Sequence, residues 1–235
     1  MTGRGLAIAW ACALCAAAGA VEIARQEDGW LVRAAGYQAL VAEDGALTSL
    51  QVRGAGGPVE FLASRPGAPR GLYPYLKGPL PLPQIEQPEP TVITARAASA
   101  AVRYSFAEDA ITVTVDNPGA EQLSLLGIFL PEVKVISDEF DVYYPLPMKG
   151  SWGRVVWYRD DVKLAVEGRA SVWGPWSDGF AVWQLKVEAG HSATVTLRPG
   201  QQSEQEAAQV KQVLAGERQP PTDPEGPMWK LEQFS

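Results

Sequence analysis

Ile111-Thr112-Val113-Thr114-Val115-Asp116 is followed by Asn117-Pro118-Gly119 and then by an apolar run over 123–130. In an extended chain Ile111, Val113 and Val115 share one side, while Thr112, Thr114 and Asp116 share the other, because successive side chains of a strand alternate. One dry face and one wet face is the pattern of an antiparallel sheet packed on a core from one side. The run over 123–130 does not alternate, which predicts a more enclosed, central strand, and Asn-Pro-Gly supplies the turn between the two.

The same signals extend in both directions. Strands are expected over 30–35, 37–42, 47–52 and 59–62, with turns at Asp44-Gly45 and Gly54-Ala55-Gly56-Gly57-Pro58. Strands joined by connections this short are antiparallel neighbours, so this part reads as a meander. Further strands are expected over 91–97, 100–106, 154–158, 162–166, 180–187 and 193–197, with Asp160-Asp161 and Ala189-Gly190 as turns. The fold class is therefore all-β, an antiparallel β-sandwich. Residues 66–90 carry eight prolines together with Tyr73, Tyr75 and Leu76, and read as a long irregular loop. Residues 201–215 are rich in Gln, Glu and Ala, with Val210, Val213 and Leu214 spaced for the face of a short C-terminal helix. Beyond Pro220-Pro221, the residues Met228, Trp229, Leu231 and Phe234 form an apolar tip, which either covers an edge of the domain or docks on a partner.

The N-terminus places Arg4 before an apolar stretch over 6–18 and small residues at Ala18-Gly19-Ala20. This is the pattern of a secretory leader cleaved near Ala20, giving an exported product, periplasmic or extracellular. Cys12 and Cys15 both fall inside it, in contexts unlike a lipid-attachment site, so the mature chain is expected to have no cysteine and no disulfide. The expected organisation is leader 1–20, sandwich 21–199, and helix with tail 200–235. The formal charge of −7 makes nucleic acid an improbable partner, because an acidic surface repels phosphate backbones. No stretch after the leader is long enough to span a bilayer as an apolar helix. Oligomeric state is left open.

The segments 36–42, 44–50, 111–117 and 188–195, taken in order, resemble the galactose-mutarotase-like β-supersandwich. That family is found in sugar epimerases and in domains of glycoside hydrolases and polysaccharide lyases. The resemblance implies a supersandwich fold and an association with carbohydrate. Its mutarotases work with paired histidines and a catalytic glutamate, whereas this chain has one histidine, His191, in an expected turn. The resemblance therefore implies a noncatalytic descendant rather than a mutarotase.

Five of the eight tryptophans, Trp152, Trp157, Trp173, Trp176 and Trp183, lie in one stretch. Strand parity groups Trp157 with Val155, and Trp183 with Leu185 and Val187, which places both in the core. Trp152, Trp173 and Trp176 fall near glycines and expected turns. With Asp178, Arg154, Tyr143 and Tyr144 they form a candidate ligand platform, in which flat rings stack on the apolar faces of sugars and polar groups take the hydroxyls. The same rings would otherwise seal the end of the sandwich by packing. Asp138-Glu139, Asp141 and Asp160-Asp161 lack the spacing of a calcium loop and read as a solvated acidic rim. No zinc set accompanies His191, no serine has a nucleophile-elbow pattern, and no cofactor is implied. The leading expectation is an exported, noncatalytic carbohydrate-binding or accessory domain. The alternatives are a small polysaccharide-active enzyme, for which Tyr143, Tyr144 and Arg154 could be recruited, and a structural or assembly protein of the cell envelope.

Overall fold

A computed structural model describes residues 21–63, 71–174 and 180–216, so the leader, Trp176, Asp178 and the apolar tip lie outside the described residues. The chain opens with a meander in which β1 (Glu22–Gln26), β2 (Gly29–Arg33), β3 (Tyr37–Ala42), β4 (Leu47–Gly54) and β5 (Gly57–Glu60) pair antiparallel in order. After β6 (Leu72–Tyr75), a second meander runs through β7 (Gln84–Glu89), β8 (Val92–Ala97), β9 (Ala100–Phe106) and β10 (Ile111–Asp116). The remaining elements are β11 (Leu123–Phe129), β12 (Val135–Asp138), β13 (Tyr143–Pro145), β14 (Met148–Arg159), β15 (Val162–Gly174), β16 (Ala181–Val187), β17 (Ser192–Gln201) and α1 (Glu204–Leu214).

These strands form one antiparallel sheet that folds over on itself. In one layer β4 meets β6 at Leu47↔Leu72, and the order continues through β11 and β16 to residues 171–173 of β15. In the other, β7 to β10 lead to β17, which pairs with residues 162–167 of β15. The two halves of β15 thus belong to different layers, and the change falls at Gly168, whose φ is 147°. β14 accompanies β15 throughout and the register shifts between Trp152 and Arg154, so that Gly168 and Arg169 of β15 form a bulge opposite Gly153. A bulge opposite a glycine is how paired strands turn a corner between packed layers. Across the core, β4 packs against β15 and β17.

Alternation does what the sequence predicts. In β10, Ile111, Val113 and Val115 are buried while Thr112, Thr114 and Asp116 are not, and every residue of β11 is buried between β6 and β16. Trp157 and Trp183 are core residues, and the Trp157 ring stacks on Phe129 with centroids 3.9 Å apart and planes within 7°. Asn117 is a buried link between two connections, its Nδ2 donating to the carbonyls of Glu121 and Val187 at 2.8 and 2.9 Å.

Three expectations are corrected. The proline-rich stretch holds β6 and β7 rather than one irregular loop. β6 meets β4 at a single residue pair, so beyond Leu72 only one of its edges is laddered and Pro74 is accommodated. β7 pairs only with β8 and shifts register between Glu86 and Glu89, which admits Pro88 on an edge strand. β14 begins at Met148, well before the expected start, so Trp152 lies inside a strand and not beside a turn. β17 runs on through Pro199-Gly200 as far as Gln201, alongside the start of β15. The helix forms as expected and is closed at its start by a capping box in which Ser203 and Glu206 satisfy each other's backbone N–H groups.

Candidate functional site

Four of the seven residues expected to touch a ligand, Tyr143, Tyr144, Trp152 and Arg154, lie in or beside the connection between β12 and β13. Asp138 ends β12 and is only 1% exposed. Its Oδ1 accepts the N–H groups of Phe140 and Val142 at 2.9 and 3.0 Å, and its Oδ2 accepts the Tyr144 hydroxyl at 2.7 Å. A short polar side chain that binds backbone N–H groups just downstream fixes a turn locally. Here it does so with Asp141 at φ 56° and with the Asp138 N–H donating to the Val142 carbonyl at 3.1 Å. The loop is also tied to β14 where it faces the bulge of β15. Glu139 Oε1 accepts the Gly153 N–H at 3.2 Å, and Asp141 Oδ1 lies 3.8 Å from Arg154 Nη1. At the tip of this fixed turn Phe140 is 64% exposed, the most exposed large apolar side chain among the described residues.

Behind the turn the rings are packed. Tyr144 and Trp152 are 5.8 Å apart at 38°, and the Trp152 indole lies over Gly150, where any Cβ would overlap it. Trp152 is 6% exposed, and Tyr143 and Tyr144 are buried as well. Tyr143 stacks on Tyr158 at 5.4 Å, and the Tyr158 hydroxyl lies 3.0 Å from Ser137 Oγ. Burial, reinforced by the Asp138 carboxylate, pushes the Tyr144 hydroxyl above its ordinary range and keeps it a neutral donor.

The structure thus brings Tyr143, Tyr144, Trp152 and Arg154 together. Tyr144 and Trp152 pack on the core face behind the turn, Tyr143 packs with Tyr158 on the opposite face beside α1, and Arg154 stands at the rim. Trp173 lies on β15 opposite Lys149 in register, and Trp176 and Asp178 are outside the described residues. Phe140 was not singled out from sequence. The only hint was an aromatic set among Asp138, Glu139 and Asp141, where a core ring is out of place.

A cleft of about 390 Å³ adjoins the turn, between the first turns of α1 and β13, and Asp141, Lys163, Gln205, Glu206 and Gln209 contribute to its walls. Lys163 Nζ bonds both carboxylate oxygens of Glu206 at 2.7 Å. Burial works to raise the Glu206 carboxyl, but Lys163 and the Ser203 backbone together outweigh it, so the group lies below its ordinary value. A second hollow, of about 410 Å³, is bordered by Arg96, Asp116, His191 and Ser192. There His191 is exposed and its Nδ1 is 2.9 Å from the Ala189 carbonyl, as suits a turn residue. The acidic pairs have structural partners. Asp161 Oδ2 accepts the Ala55 N–H at 2.6 Å and holds the β4–β5 turn. Among the described residues no three of His, Cys, Asp or Glu gather as a metal set, and no helix is long and apolar enough to cross a membrane.

This architecture defines an antiparallel β-sandwich with a short C-terminal helix. No family model and no curated protein matches the chain. Among solved structures it is similar to the periplasmic domain of Thermotoga maritima YidC, at 9% identity over 83% of this chain and 98% of that one, with a TM-score of 0.51. It is also similar to a galactose mutarotase related enzyme from Lactobacillus acidophilus, at 9% identity over 79% of this chain and 98% of that one, with a TM-score of 0.48. A TPR-domain containing protein from Parabacteroides distasonis overlaps 76% of this chain at 14% identity and a TM-score of 0.49, and the chain spans only 48% of that protein. At these identities the likeness is one of fold alone.

Proposed function

We propose that the chain is an exported, noncatalytic carbohydrate-binding or accessory domain that grips its ligand at the β12–β13 turn. The observation that carries this reading is Phe140, a ring held out to solvent by a buried carboxylate and flanked by the Arg154–Asp141 pair. An apolar ring that folding would ordinarily bury is fixed outward by four hydrogen bonds of the turn. Stacking needs such a ring, and sugar hydroxyls need adjacent donors and acceptors, which Arg154 and Asp141 supply. Tyr144 and Trp152 hold the turn from behind, and Trp173, Trp176 and Asp178 are proposed as further contacts. Export follows from the leader pattern and accords with the likeness to a periplasmic domain.

The test is glycan binding by the full chain before and after Phe140→Ala. Because the ring is exposed, the variant should keep its melting temperature. Affinity should fall at least about tenfold, equivalent to about 1.4 kcal/mol. Unchanged affinity would remove the turn from the site, and absence of binding across a broad panel would remove the carbohydrate reading itself.

A further inference from the structure

We infer that the polar cleft beside the turn is a second sugar subsite, so that the ligand is a neutral oligosaccharide of at least two units, one on Phe140 and the next against α1. This rests on the carbohydrate reading above. Asp141 joins the two places, since it follows Phe140 in the turn and also lines the cleft. At about 390 Å³ the cleft falls within the size range of small-molecule sites.

Its chemistry points to hydroxyl groups. Gln205 and Gln209 stand one helical turn apart on α1, and residues four apart on a helix share a face. Gln209 Oε1 is buried and accepts no hydrogen bond from any described residue, although a buried acceptor left unsatisfied costs about 1–3 kcal/mol. Rotation of this amide into the cleft would let it take a hydroxyl donor. The helix start is not the attraction, because the Ser203–Glu206 capping box already occupies it. Charge selects against an acidic sugar. Lys163 is committed to both oxygens of Glu206, and Asp141 is paired with Arg154, so the cleft offers a uronate no uncommitted cation.

The experiment is calorimetric titration of the full chain with neutral gluco-, manno- and galacto-oligosaccharides of one to four units, and with a uronate-containing disaccharide. The preferred neutral series should gain at least about tenfold in affinity from one unit to two, and the uronate should show no such gain. Gln209→Leu should erase the gain while leaving monosaccharide affinity, which depends on Phe140, within about twofold. Gln205→Ala, at an exposed position, should reduce the gain without touching stability and serves as the control if Gln209→Leu perturbs the helix. Equal affinity for one and two units, or a gain that survives both variants, would overturn the second subsite while the Phe140 reading stands. A wild-type chain that binds no glycan would overturn both.

Discussion

Asp138→Ala should damage stability and recognition together, through a carboxylate that itself never meets solvent. The substitution removes the acceptor of two loop N–H groups and of the Tyr144 hydroxyl. Phe140 lies in an exposed turn, so water can replace much of what the loop N–H groups lose, at about 0.5–1.5 kcal/mol each. The hydroxyl of Tyr144, in a wall only 2% exposed, loses a charged acceptor, at about 1–3 kcal/mol. The expected total is about 2–6 kcal/mol, and at roughly 2–4 °C per kcal/mol for a domain of this size the melting temperature should fall by about 4–24 °C. Asp138→Asn keeps one acceptor oxygen for the loop and should cost no more than about half as much. Urea denaturation of the two variants, of Tyr144→Phe and of the double variant Asp138→Ala/Tyr144→Phe measures each term. Because the pair is in direct contact, the double variant should cost about 1 kcal/mol less than the sum of the singles. Glycan affinity should fall with Asp138→Ala even though Phe140 remains. An alanine variant that loses under 1 kcal/mol, or a strictly additive double variant, would refute the view that this carboxylate organises the turn.

Gly168→Ala should cost about 1–3 kcal/mol, since an alanine at φ 147° is strained and its Cβ would approach the Thr194 carbonyl oxygen to 3.3 Å; a denaturation midpoint equal to that of the parent would show that the corner does not require glycine. The Glu206 carboxyl is lowered in the folded chain relative to its unfolded value near ~4.3, so its contribution is fully present above that value and is lost as pH falls through the lower folded one. Glu206→Gln should therefore flatten the acid limb of stability between about pH 5 and pH 3, and parallel limbs for the two proteins would contradict this.

The legible part of this fold was the part governed by side-chain alternation. Ile111 to Val115 reads correctly because one face meets the core and the other meets water, and Trp157 and Trp183 follow from the same parity. The failures share a cause, namely that glycine and proline report backbone conformation and not which element contains them. Pro74 and Pro88 were read as loop residues because proline removes a donor, yet both stand where a strand has an edge without a ladder. Gly150 before Trp152 was read as marking a turn, whereas it gives the indole room to lie flat within a strand. At the site, Tyr143, Tyr144, Trp152 and Arg154 were found by residue type, but their roles depend on burial, a property of the whole fold. Phe140 could not be read at all from periodicity, because its exposure is dictated by the hydrogen bonds of Asp138 and not by a hydrophobic pattern.

The β14–β15 hairpin has a consequence for how the molecule comes apart. In a sandwich of two separate sheets the apolar seam is a plane along which the halves can slide or open. Here the same pair of strands is laddered into both halves, and separating them requires breaking backbone hydrogen bonds on either side of Gly168. Opening the sandwich therefore means breaking a ladder and not only parting an apolar seam, and the turn that carries Phe140 is anchored on the hairpin that joins the two layers.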